Sequence, residues 1–70
     1  MLRQSVNSSN LSSVGYNPSQ MVLEIQFNDG AVYQYFGVPQ NIYTSLMNAS
    51  SHGKYFYANI RDNYRYSPVG

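Results

Sequence analysis

One run of this 70-residue chain gathers residue types that can do recognition chemistry at close spacing. It is KYFYANIRDNYRY, Lys54 to Tyr66, where Lys54, Arg61 and Arg65 stand against Asp62 beside Phe56 and four tyrosines. Cations of this kind pair with phosphates, and flat rings stack on unpaired bases, each stack contributing ~1–3 kcal/mol. Exposed aromatics mixed with Arg are also the common means of reading single-stranded RNA. Three cations reach only a few phosphates, so such binding is expected to be modest and to fall with salt. The competing assignment makes Tyr55, Tyr57, Tyr64 and Tyr66 covers over a small core, with Phe56 and Ile60 inside it. A third assigns the same surface to protein contacts, since many tyrosines and few charges suit an interface.

Other chemistry is poorly supplied. Nucleophilic catalysis needs a base beside a nucleophile and a group that orients the base. Ser50 and Ser51 precede the single histidine, His52, but neighbours in sequence rarely point at one another, and His52 reads as a surface or capping residue. The acids Glu24, Asp29 and Asp62 are spread along the chain, and there is no Cys, so no metal set is spaced for binding. The five glycines are scattered at turns and build no phosphate cradle. The expectation is a non-enzymatic module with no cofactor and no metal.

The elements that position these residues follow from periodicity. MVLEIQF, from Met21, alternates, with Leu23, Ile25 and Phe27 on one face and Val22, Glu24 and Gln26 on the other, as in a half-buried strand. Asn28-Asp29-Gly30 is a hairpin turn, and Ala31 to Phe36 is rich in β-formers. Loop length fixes what Tyr33 and Tyr35 do, because a one-residue slip swaps every face. A two-residue turn would face Ile25 with Gln34. A three-residue turn, with Gly30 left-handed in a bulge, pairs Phe27 with Ala31, Ile25 with Tyr33, Leu23 with Tyr35 and Glu24 with Gln34. The second separates polar from apolar and is preferred, at the cost of placing Phe36 outside with Val22. Tyr33 and Tyr35 then lay their rings on the core and bring their hydroxyls to the rim; direct ligand contact by both is the alternative.

Upstream, Met1 to Asn10 is polar and without period and reads as a flexible start. Leu11, Val14 and Tyr16 suit a strand with imperfect alternation, and Asn17 to Gln20 is a turn. Downstream, Pro39 suits a first helical turn, and Ile42, Tyr43, Leu46 and Met47 mark one face of a short helix over roughly 39–49. Ser51 is placed to cap a second helix that carries Phe56 and Ile60. The predicted fold is α+β: an antiparallel three-stranded β-meander followed by two short helices packed on one sheet face. The expected division is a flexible 1–10, one domain over 11–66 and a tail over 67–70.

Composition limits the rest. A chain this short is a single domain of marginal stability, and without Cys it has no disulfide to help. Eight Tyr and three Phe supply the burial instead, at ~150–250 Å² per ring. A net charge of +1 argues against a strongly basic nucleic-acid binder. No apolar run can span a membrane, and no apolar stretch follows Arg3 as in a secretory leader, so a cytoplasmic location is expected.

The order of these pieces, SSNLSSVGYN, then LEIQFNDGAVYQYFGVP, then IYTSLMNASSHGKYFYANIRDNY, resembles the KTSC domain family. The resemblance rests on Tyr33, Tyr35, Val38 and Pro39, and on Ser51, Gly53, Tyr55, Phe56, Ile60 and Arg61, and covers about residues 8 to 66. That family is named for the C-terminal domain of some lysyl-tRNA synthetases and also occurs as small stand-alone bacterial and phage proteins. Its members are largely of unknown function. The resemblance implies no catalytic residues and suggests RNA or tRNA as partner. The candidate contacts are therefore Lys54, Arg61 and Arg65 for phosphates and Tyr33, Tyr35, Tyr55 and Tyr57 for stacking. The alternative is a protein partner or a second copy, with the tyrosines as the interface.

Overall fold

The structure, a computed structural model, describes residues 1–69. Five strands form one antiparallel sheet in chain order: β1 (Gln4–Ser5), β2 (Leu11–Asn17), β3 (Val22–Phe27), β4 (Val32–Phe36) and β5 (Arg65–Pro68). Between β4 and β5 the chain makes α1 (Gln40–Asn48) and α2 (His52–Asn59), which cover one sheet face. The α+β class holds, but the sheet is not a three-stranded meander. Of the two additional strands, β1 lies in the segment read as a flexible start, and β5 straddles the end of the expected 11–66 domain and the tail over 67–70. β1 is too short to show alternation, and β5 has a proline inside it. Pro68 is tolerated there because β5 is an edge, where a missing N–H leaves no central ladder bond open.

The hairpin between β3 and β4 has the bulged register. Ile25 faces Tyr33, Leu23 faces Tyr35, Glu24 faces Gln34 and Val22 faces Phe36. The Phe27 amide donates to the Ala31 carbonyl at 2.8 Å, and Gly30 has φ of +93°, a conformation open to glycine at little cost. The imperfect alternation of β2 also has a cause. A bulge between Leu11 and Ser13 sets two residues against one, so Leu11, Val14 and Tyr16 all reach the helical face.

That face holds the core: Leu11, Val14, Leu23, Ile25 and Tyr35 from the sheet, Val38 from the loop, and Leu46, Phe56 and Ile60 from the helical layer. Removing such side chains from water contributes ~1.5–3 kcal/mol each. Ser51 caps α2, accepting from the Lys54 amide at 3.3 Å. His52 opens α2 with Nδ1 2.8 Å from the Leu46 carbonyl, so it ties the two helices together.

The opposite face is closed by the start of the chain. Arg3 forms an ion pair with Glu24, and its Nε donates to Ser13 Oγ at 2.9 Å. Ser13 Oγ in turn donates to Gln26 Oε1 at 3.0 Å, and Gln34 Nε2 donates to Glu24 Oε1 at 2.9 Å. Gly15 lies under this segment: a Cβ there would sit 2.6 Å from the Leu2 carbonyl oxygen.

Candidate nucleic-acid interface

The chain leaves α2 in a tight turn that presents Arg61 and Asp62. The amides of Ile60 and Arg61 both donate to the Phe56 carbonyl, at 2.9 and 3.0 Å, and Asn63 N–H donates to the Ile60 carbonyl at 3.1 Å. β5 then runs back along β4 with Tyr66 opposite Tyr35, so Tyr66 projects on the helical face just beyond the last core ring. Between these parts lies a groove of about 390 Å³. Its floor is Tyr33 and Tyr35 of β4 with Phe27 and Phe56, and its rim is Tyr57, Arg61, Asp62 and Tyr66.

The rings of this groove are fixed by packing. Phe56 meets Tyr35 edge-on at 5.3 Å between centroids, Phe27 at 5.5 Å and Tyr57 at 5.2 Å. Tyr66 lies 5.7 Å from both Tyr33 and Tyr35. Edge-to-face contacts of this kind add ~0.5–1.5 kcal/mol beyond burial, so the floor is stiff. The rim is open: Tyr66 is 58% and Tyr57 43% exposed, against 4% for Tyr35. The Arg61 guanidinium sits over the Tyr57 ring, 5.4 Å from its centroid, a cation–π contact. Burial pushes the Tyr35 phenol up to about 12, with the neighbouring Tyr66, Tyr33 and Tyr57 adding to the rise and Arg61 opposing it. The Tyr35 hydroxyl nevertheless opens to the groove: among the described residues no buried side-chain polar atom lacks a partner, and this hydroxyl bonds to none of them.

The structure thus brings together four of the seven sequence candidates: Tyr33, Tyr35, Tyr57 and Arg61. Arg65 pairs with Phe36 and is directed to the other sheet face, but it borders an adjoining hollow with Asp62, Asn63, Tyr64 and Tyr66. Lys54 is exposed on the first turn of α2, away from the groove. Tyr55 is half-buried and packs against the core, as does Tyr64. Tyr66, Asp62 and Phe27 belong to the groove and were not among the candidates. A strand Arg65–Pro68 aligned with β4 would have revealed Tyr66, but four residues carry too little period to show it. Among the described residues no group of three or more His, Cys, Asp or Glu could hold a metal ion.

Comparison with known proteins fits this arrangement. The family model of the KTSC domain matches residues 7–64. The chain belongs to the KTSC domain family. A KTSC domain protein of Yersinia pestis has the same fold, with a TM-score of 0.96 and 39% identity over 99% of this chain and 97% of that one. An uncharacterized protein of Stutzerimonas stutzeri is 40% identical over 67 residues, 94% of each chain. A lysine–tRNA ligase of Nostoc sp. is 35% identical over 54 residues, which are 77% of this chain and 10% of the ligase. The KTSC domain therefore occurs both as a small protein and as a minor part of a much larger one.

Proposed function

We propose that this KTSC domain is a non-catalytic cytoplasmic module that binds single-stranded RNA, including the unpaired parts of a tRNA. The observation that carries the reading is the open rim over a stiff aromatic floor, with Arg61 stacked on Tyr57 and Tyr66 lining the same groove. Rings held in place and left in contact with water are ready to stack on unpaired bases, and an arginine on a ring lies where the strand's backbone would pass. The kinship with part of a lysine–tRNA ligase supports RNA as the class of ligand. Arg65, beside the adjoining hollow, and Lys54 are the further phosphate contacts.

The test is fluorescence anisotropy with a labelled single-stranded RNA and with unfractionated tRNA at low salt. Binding that is lost in Arg61→Ala plus Tyr66→Ala, with an unchanged circular dichroism spectrum and melting point, supports the reading. No binding by the native protein at low salt overturns it.

A second reading takes the same surface for a protein partner or a second copy of the chain. It is favoured by the free edge of β5, which carries exposed Tyr66 and leaves Val69 44% exposed. Sedimentation separates the two: a concentration-dependent dimer, lost in Tyr66→Ser, supports self-association.

A further inference from the structure

We infer that the groove reads a guanine base, with Asp62 and Arg61 as the pair that selects it; this rests on the single-stranded RNA reading above. Arg61 and Asp62 are adjacent in sequence and both line the groove. They do not neutralise one another, because the ion pair found among the described residues is Arg3–Glu24, on the far face of the sheet. Arg61 is instead held over Tyr57, and Asp62 has no ion-pair partner among the described residues. A carboxylate acceptor and a guanidinium donor therefore both border the aromatic groove, and neither has a side-chain hydrogen-bond partner among the described residues.

Such a pair suits one base. A carboxylate accepts two parallel hydrogen bonds, so its best partner on a base edge is two adjacent N–H donors. Guanine alone has them, at N1 and N2, and beside them its O6 and N7 accept from arginine. Adenine and cytosine each set a ring acceptor beside their amino group, and uracil flanks its single N–H with two carbonyls. Any of these three leaves a carboxylate oxygen facing a base acceptor. A guanidinium that gives two N–H groups to the base keeps others for the strand's backbone, and Arg65 and Lys54 outside the slot add the further phosphate contacts. Tyr57 and Tyr66 supply the stacking surfaces for the purine, and the volume of about 390 Å³ admits one base with water to spare.

The experiment compares short oligouridines that carry one central guanosine, adenosine, cytidine or uridine, by anisotropy at fixed salt. The guanosine oligomer is expected to bind about tenfold or more tighter than the other three, as one good two-bond base contact allows. Asp62→Asn should abolish that preference, because a side-chain amide presents one donor and one acceptor where the carboxylate presents two acceptors. Asp62 is exposed and outside the core, so the variant is expected to fold, and an unchanged melting point checks this. Equal binding of all four oligomers, or a preference that survives in Asp62→Asn, overturns the guanine assignment and leaves the RNA reading standing. Failure of all four to bind the native protein overturns both.

Discussion

At the scale of single residues, Tyr35 shows how one side chain is both core and groove lining. Its ring is covered and its hydroxyl faces the groove, and its pKa is raised to about 12 from an ordinary 10.0. The sign follows from the favoured form. The folded protein prefers the neutral phenol, so the stabilisation is complete below pH 10 and is lost as the unfolded chain ionises between there and about 12. Tyr35→Phe keeps the ring and removes the ionisation. Urea melts at rising pH are expected to show the native protein losing stability over that window and the variant losing distinctly less. Tyr35→Ser, by contrast, removes a core ring and should cost ~3–5 kcal/mol, as large-to-small aromatic truncations do. The two variants separate the phenol's charge from its packing. Sequence pattern placed this ring on the correct face, because the facing of Leu23 with Tyr35 is set by the bulged turn. It could not reveal that the hydroxyl opens into a groove, since the opposite wall comes from residues more than twenty positions later.

At the scale of elements, the outer face of the sheet depends on β1. Burial alone would raise the Glu24 pKa, but hydrogen bonds from Gln34 and Arg3 and the Arg3 charge outweigh it, and the pKa is lowered. A lowered carboxyl pKa means stability that is present above the ordinary carboxylate range and lost as pH falls through the folded value. Arg3→Ala should therefore cost ~1–3 kcal/mol at neutral pH, the penalty for leaving a buried group short of a partner. The gap between native and variant is expected to shrink in acid, where Glu24 is protonated in both; denaturant melts at the two pH values check it. Gly15→Ala should reach the same end by sterics, since its Cβ would lie 2.6 Å from the Leu2 carbonyl oxygen and the start of the chain would have to lift. Faster amide exchange in β1 and at Val6, whose N–H donates to the Ser12 carbonyl, is the readout. None of this was legible in MLRQSVNSSN, where a lone arginine in a polar run finds its acid only twenty-one positions further along the chain. The helices were legible because Pro39, Ser51 and the apolar spacing of each act locally.

At the scale of the whole molecule, charge is sparse and unevenly placed. Arg3 is spent on Glu24, which leaves Lys54, Arg61 and Arg65 around the α2 and β5 side. Affinity for single-stranded RNA should therefore fall only gently with salt, with a log–log slope of about −1 to −2 from two or so phosphate contacts at ~0.7 each. A slope several times steeper in a salt titration would mean a far larger footprint than this surface offers. The groove also draws its outer wall from the last strand, which is bonded along one side only and ends in Val69 N–H donating to the Val32 carbonyl at 2.8 Å. The candidate groove is thus bordered by an edge strand of the sheet. Under the proposed RNA reading, an occupant gripping Tyr66 would clamp that margin against β4, so that cargo and closing strand would protect each other from proteases.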